Sequence, residues 1–340
     1  MAQTILSDVV FRDELRDYIS IPSMERTAFF DSGILVSNSD MMGLLSAPTN
    51  TWTIPFWLDI DASIEPNYSN DVYTDIAVPR AVTSSSMQGR TAYLNEGFSA
   101  MNLVKNITNQ DPLEYVGTRI LAFWRRSQQR RLIATALGIY NDNLANDGGD
   151  MIVNAGGPLT AAAIIRARAT MGDNGPLGGA IAMHSAQYTE LQLLNLIDFT
   201  PIADQVPEFG RYQNLTVILD DGLPVLDPAQ EGGAAQYLSI IFSQGAIGYQ
   251  ETTPPGEDGL EYVREPERGN GGGAETLWTR RDLLLHPLGY SFLGTTITGN
   301  GTETRPASAS WADLALATNW DRVVERKRVP IAFVVATASN

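Results

Sequence analysis

The sequence predicts an α+β fold built around one very long helix. Three observations carry that prediction. A start signal at Asp111-Pro112 opens a helical apolar spacing that ends only in the turn Asn146-Asp147-Gly148-Gly149. After residue 158 short apolar strands alternate with helices. The segments 276–293 and 321–337 are β-rich, with a short helix at 309–317 between them.

Composition limits the rest. The 340 residues are 44% hydrophobic, so a large core is available, but only 18% are charged, against roughly 25% in an ordinary soluble domain. Such a chain is expected to cover part of its surface with protein rather than water. Twenty-three basic residues face 39 acidic ones, a net charge of −16. A tight, general nucleic-acid binder needs the opposite sign, because phosphate contacts supply most of its affinity. There is no cysteine, and the histidines are His184 and His286 alone. Disulfides and thiolate metal sites are excluded, and little is left for a zinc site or a histidine-dependent triad. The opening residues MAQTILSDVVFRDEL have neither a basic region nor an apolar run, and no stretch approaches the ~18 apolar residues of a membrane span. The expectation is a soluble chain made inside the cell, with no membrane partner, no metal and no other cofactor.

Residues 1–50 read as an arm. Ser7 can cap a helix through Ser20, after which Pro22, Gly33, Gly43 and Pro48 break the segment. It has few ways to bury itself, so a neighbouring copy is expected to pin it. Residues 51–95 read as a projecting hairpin. Thr51 to Leu58 is one β-prone run and Ile76 to Met87 the other, with the polar, turn-rich stretch Asp61 to Tyr73 between them. Pro55 and Pro79 suit edge strands. With Trp52, Phe56 and Trp57 exposed, an isolated hairpin would aggregate, so all three are expected to lie under a neighbour.

The helix 111–147 has Asp111 as N-cap, Pro112 at its first position and Glu114 in its first turn. Leu113, Val116, Ile120, Phe123, Trp124, Leu132, Ile133, Leu137 and Tyr140 give it an apolar face. At ~1.5 Å per residue it would be about 45–55 Å long. It carries Arg119, Arg125, Arg126, Arg130 and Arg131, of which Arg119, Arg126 and Arg130 fall near one stripe. These arginines suit either a solvated, ion-paired face or pairing with a neighbour's carboxylates through the guanidinium fork. Contact with a genome is a third role.

Further on, a helix is predicted from Thr160 to Met171, then a turn over 172–176, a buried strand at 179–183 and a helix from Ser185 to Leu196. Strands follow at 215–219 and 236–242, with the turn Asp220-Asp221-Gly222 between them. Residues 251–274 read as a Gly-, Pro- and Glu-rich loop, and Ser310 as the cap of the helix 309–317.

Chemical motifs are scarce. Neither a phosphate-binding loop, nor a nucleophile elbow, nor a zinc-protease motif, nor a calcium loop occurs. Gly271-Gly272-Gly273 lies in a polar stretch and reads as a hairpin connection. His184-Ser185 sits at a strand-to-helix junction, where α/β hydrolases place a nucleophile, and Ser185 reads equally as the N-cap of the next helix. Asp220-Asp221 can hold a hard cation or simply form a turn.

Several segments, taken in order, resemble the major capsid proteins of tailed double-stranded DNA bacteriophages, which have the HK97-like fold. They are Asp111-Pro112 with Ile120, Phe123-Trp124, Gln128 to Leu132 and Leu137-Gly138-Ile139; Met171-Gly172-Asp173 leading to Ile181-Ala182-Met183-His184-Ser185, Tyr188 and Leu191; and Val217 through Asp221 to Pro224. Thr279-Arg280-Arg281 with Leu285-His286-Pro287-Leu288-Gly289-Tyr290 follows, and then Asn319-Trp320-Asp321 with Lys327. Residues 1–110 match only in character.

The resemblance implies an N-terminal arm (1–50), an extended E-loop (51–95), a P-domain over 96–151 with the spine helix 111–147, and an A-domain over 152–250. It further implies P-domain strands and a loop over 251–308, an A-domain return helix at 309–320 and a C-terminal P-domain strand at 321–340. The implied function is structural: self-assembly into hexamers and pentamers of an icosahedral head enclosing double-stranded DNA, without sequence-specific binding. Trp52, Phe56, Trp57, Arg119, Arg125, Arg126, Arg130 and Arg131 would be its intersubunit contacts. A portal and a separate scaffolding protein are expected partners, and a decoration protein is a further one. The product would be assembled in the host cytoplasm and end in the virion.

Some members crosslink through an E-loop lysine. Residues 51–95 contain none, so that chemistry is not expected. The rivals are an encapsulin-type compartment shell, and an α/β hydrolase using Ser185 with His184 or His286.

Overall fold

The computed structural model describes residues 29, 32–37, 39–46, 49–60, 63–108, 111–172, 179–193, 211–212, 215–226, 234–255, 259–299 and 307–337. The predicted helix Ser7–Ser20 and most of the turn after Gly172 lie outside them. In chain order come β1 (Leu35–Val36), α1 (Ser39–Leu45), β2 (Thr51–Trp57), β3 (Ser84–Arg90), β4 (Ala92–Met101), α2 (Asn102–Thr108) and α3 (Pro112–Asn146). Next are β5 (Ile152–Pro158), α4 (Ala161–Ala169), β6 (Gly179–Met183), α5 (Ser185–Leu193), β7 (Arg211–Tyr212), β8 (Leu215–Leu219), β9 (Val225–Leu226) and β10 (Gln236–Ser243). The remainder is β11 (Ile247–Thr252), β12 (Leu260–Glu265), β13 (Ala274–Pro287), β14 (Tyr290–Phe292), α6 (Trp311–Ala315), β15 (Trp320–Arg322) and β16 (Ile331–Thr337).

A seven-stranded sheet in the order β5-β16-β10-β6-β8-β7, with β9 also on β10, forms the centre. Its inner strands β6, β10 and β16 are nearly continuous buried runs because both faces are covered. Side chains alternate across it: Ala180, Ala182, Ile240, Phe242 and Phe333 enter one core cluster with α3, while Ile181, Met183, Ile241 and Val334 enter another with α4.

The long helix forms as its signals predict. The Asp111 carboxylate accepts the Leu113 amide at 3.0 Å, and Lys105 pairs with the same carboxylate at 2.6 Å. Gly138 is required by packing, since a Cβ there would stand 2.0 Å from the Leu314 carbonyl. Only glycine lets α6 and Trp320 approach so closely. The Trp320 indole N–H donates to that same carbonyl at 2.7 Å. Ser310 caps α6 through a reciprocal box with Asp313. Asp313 also accepts from Thr298 and Gly299. Burial opposes its charge, but the hydrogen bonds from Thr298 and Ser310 outweigh it and hold the carboxyl down at about 2.

A second sheet runs β1-β11-β13-β12, with β4 along β13. The fourteen-residue β13 takes β11 on Asp282–Pro287 and β12 on Ala274–Thr279, and β4 runs beside Ala274–Leu283. A small hairpin, β2 with β3, completes the described sheets apart from the pair β14-β15.

The structure corrects three expectations. The stretch 251–274 is not all loop, because Leu260–Glu265 pairs with β13 and only the turn beyond it holds Gly271-Gly272-Gly273. The described part of the arm needs no neighbour to bury it: Phe29 and Ile34 are fully buried in the chain's own core, and Leu35–Val36 pairs in parallel with β11. The second hairpin strand begins at Ser84 rather than Ile76, since residues up to Thr83 are not in a strand. Ile331–Thr337 lies between β5 and β10 in the central sheet. The 309–320 segment rests on α3.

Candidate assembly surface

Between β2 and β3 the chain extends away from its own core. Ten large apolar residues between Trp57 and Val82 are exposed, among them Trp57 at 72%, Ile60, Tyr68, Tyr73 at 103%, Ile76 and Val78. The loop nevertheless has internal order. Arg80 donates to the carbonyls of Ile64, at 3.2 Å, and Glu65. The Asn67 amide reaches the Val78 carbonyl at 3.2 Å, and Asn70 donates to Asp75 at 2.6 Å. At the base, Leu58 N–H bonds the Thr83 carbonyl, and Asp59 pairs with Arg328. The two limbs are laced together while their apolar side chains face outward.

The aromatic residues singled out in the hairpin divide. Trp52 is buried by its own chain, with Leu45 and Leu284, edge-on to His286 at 4.8 Å. Gly89 makes room for it, since a Cβ there would lie 2.1 Å from the indole. The expectation that a neighbour covers Trp52 is therefore corrected. Phe56 is half-buried and Trp57 points out.

The five helix arginines divide too. Arg131 is buried, donates to the Ala309 carbonyl at 2.8 Å, and has its pKa lowered to about 10 by burial, against the nearby Asp313 charge. It holds the α6 region onto α3 and is not an exposed contact. Arg125 and Arg130 are exposed and Arg119 and Arg126 half-buried. Arg130 lies over the Trp311 ring at 5.8 Å and Arg119 over Tyr115 at 5.9 Å. Two cavities open along this face and share Arg126. One, of about 260 Å³, includes Phe98, Tyr115, Val116, Ile120 and Phe123 in its lining. The other, of about 590 Å³, lies between α3, α6 and the 220–224 turn.

The chemical candidates are engaged in structure. His184, not Ser185, caps α5, because its Nδ1 accepts the Ala186 amide at 3.2 Å. The Ser185 N–H is drawn to Asp221 at 3.0 Å, and the bond from the Ser185 side chain leads the causes that lower the Asp221 pKa. Ser185 Oγ and His184 Nδ1 are 3.5 Å apart, and His184 Nε2 and Asp221 Oδ1 3.7 Å. These are loose separations in a capping turn. His286 is buried, bonds the Tyr290 carbonyl through Nε2 at 2.8 Å and is pushed down to about 4 by burial, against that bond. Asp220 accepts from Gly222 at 2.8 Å and from Gln129 at 2.6 Å, so the two adjacent carboxylates serve different partners. Among the described residues no helix is long and apolar enough to cross a membrane.

No protein-family model matches the chain. It is 29% identical to the major capsid protein of Bacillus phage SPP1 over 334 residues, 97% of each protein. Over nearly its whole length the chain is thus similar to a phage major capsid protein. The capsid of cyanophage Pam1 has the same fold, with a TM-score of 0.61 at 9% identity over 99% of both chains. The SrpI encapsulin of Synechococcus elongatus PCC 7942 shares the fold as well, with a TM-score of 0.51 at 9% identity over 97% of both chains. The fold is thus common to both shell types, and the near full-length sequence relative is of the phage type. The likeness is to structural proteins of a phage shell rather than to an enzyme. The hydrolase reading of Ser185 falls with that.

Sequence reading stopped the aromatic surface at Trp57 and took Asp61 to Tyr73 as polar. It missed Tyr68, Tyr73, Ile76 and Val78. A signal was present: these apolar residues follow neither a helical nor a strand period and are interspersed with Pro, Asn, Asp and Ser, so no element of their own can bury them.

Proposed function

We propose that this capsid protein assembles into hexamers and pentamers of an icosahedral head that encloses double-stranded DNA. The observation that carries the reading is the ordered, outward-facing apolar loop between Trp57 and Val82. Monomeric proteins rarely leave an apolar surface so extensive uncovered. Around a closed ring each copy offers one face to a different face of the next, which suits a loop that leaves its own subunit. In this reading residues 51–95 serve as the E-loop and α3 as the spine. The net charge of −16 suits a container whose contents must not adhere to it. A portal and a separate scaffolding protein are the further partners this reading calls for.

Electron microscopy of the purified chain tests this. Wild type is expected to give closed, uniform shells. A variant lacking residues 60–81 should remain folded and soluble yet give none. Normal shells from that deletion would overturn the role of the loop, and wild-type protein that stays monomeric at every concentration would overturn assembly.

A further inference from the structure

We infer that a clamp at the root of the loop between β2 and β3, made by Trp52 over Gly89, by Ser291 and by the pair Asp59–Arg328, fixes the angle at which the loop leaves its subunit and so sets the curvature of the shell. The inference rests on the assembly reading above and adds what governs the geometry of the product.

Two strands alone make a marginal structure, and this hairpin is held to the body of the subunit at three points. In register, Trp52 stands opposite Gly89. With no side chain there, the indole lies across the partner strand, and a Cβ at Gly89 would stand 2.1 Å from it. The ring is thereby seated against Leu45 and Leu284 and edge-on to the buried His286. Along β3 a single buried hydroxyl, that of Ser291 in β14, accepts the Gln88 N–H at 3.0 Å and donates to the Ser86 carbonyl at 3.4 Å. Where the two limbs part, Asp59 pairs with Arg328 in the turn Arg326–Arg328 that precedes β16. The three contacts reach β13, β14 and that turn, so the hairpin cannot rotate about one of them without disturbing the others.

Farther out, the bonds of Arg80, Asn67 and Asn70 run between loop residues. The loop is therefore stiffened along its length and fixed at its base, and a tilt at the base is multiplied at the tip. Head-to-tail contacts close into a ring only when each copy is turned by a fixed amount from the last, and other rotations give open arrays. A loop that engages the next copy carries that rotation in its exit angle. Trp52, Ser291 and Arg328 are thus positioning residues, acting through the loop they aim.

Electron microscopy of full-length variants is the test, read as particle diameter and closure rather than yield, with thermal unfolding confirming that each variant is folded. Gly89→Ala evicts the indole and should replace the single wild-type diameter by mixed sizes and open sheets. Asp59 and Arg328 are mostly exposed, so reversing them leaves the fold intact and decides the matter if Gly89→Ala does not fold. Asp59→Arg and Arg328→Asp should each give mixed sizes at low salt, where the pair is least screened, and the two together should restore one diameter. Unchanged diameters at reduced yield would show that the clamp serves stability alone and would overturn the inference, as would uniform shells from all the single variants. A double reversal as irregular as either single one would equally overturn it. Absence of wild-type shells would instead overturn the assembly reading itself.

Discussion

The central sheet and the loop between β2 and β3 are both rich in apolar residues, yet they have opposite fates. Ile181, Phe242, Phe333 and Val334 are fully buried by this chain alone, whereas Trp57, Tyr68, Tyr73 and Ile76 are mostly exposed. The difference is periodicity. In the sheet, alternate residues supply two cores, so a single chain can close both faces. In the loop no face recurs, and internal hydrogen bonds fix its shape without hiding its side chains. Apolar content alone therefore does not separate a core from an interface; what separates them is whether the pattern allows the chain to cover itself.

Substitution should sharpen that contrast most. Phe242→Ala removes a fully buried ring and is expected to cost about 3–5 kcal/mol of folding stability, so soluble protein should largely disappear. Tyr73→Ala removes a fully exposed ring and should shift folding stability by no more than about 0.5 kcal/mol, while lowering shell yield. Comparable destabilisation of the unassembled chain by both would break the distinction.

Acid titration gives the next largest effect. Burial holds Asp142 up at about 6 and His286 down at about 4. Unfolded, these groups titrate near ~3.9 and ~6.5. The folded chain binds the Asp142 proton more tightly, so that contribution is present at low pH and is lost as pH rises through about 6. The folded chain resists protonating His286, so that contribution is present above ~6.5 and is lost as pH falls towards the folded value. The two oppose each other in one window. Thermal midpoints of unassembled Asp142→Asn should therefore fall with acid more steeply than wild type, and those of His286→Gln should rise relative to it. Parallel pH profiles for all three proteins would contradict this.

A smaller effect than that of the core ring is expected at a cap. Asp313→Ala removes half of a reciprocal capping box and should cost about 1–2 kcal/mol, seen in denaturant unfolding. Because the folded Asp313 carboxyl sits near 2, its contribution is present above the unfolded value near ~3.9 and lost as pH falls through the folded one.

Much of this was legible in the sequence where the signal is local. Asp111-Pro112 fixed the start of α3, and the runs at 179–183, 215–219 and 236–243 carry their own strand signal. Long-range pairing was not legible. Leu260–Glu265 has a charged, short strand sequence among glycines, and only β13 makes it a strand. Phe29 and Ile34 carry no periodicity and are buried by distant partners, Phe29 against Phe242. At the surface, the type of residue was readable but its direction was not. Trp52 and Trp57 lie in one strand, yet one is enclosed over Gly89 and the other points outward. Arg131 and Arg130 are adjacent, and only Arg130 is exposed.

The central claim is that another copy, and not this chain, covers the loop between Trp57 and Val82. Hydroxyl-radical footprinting of Tyr68 and Tyr73 in unassembled protein and in purified shells measures that cover directly. The account predicts rapid oxidation of both tyrosines in the free chain and strong protection in the shell, with Tyr290, buried in the core, protected in both. Equal oxidation of Tyr68 and Tyr73 in the two states would contradict it.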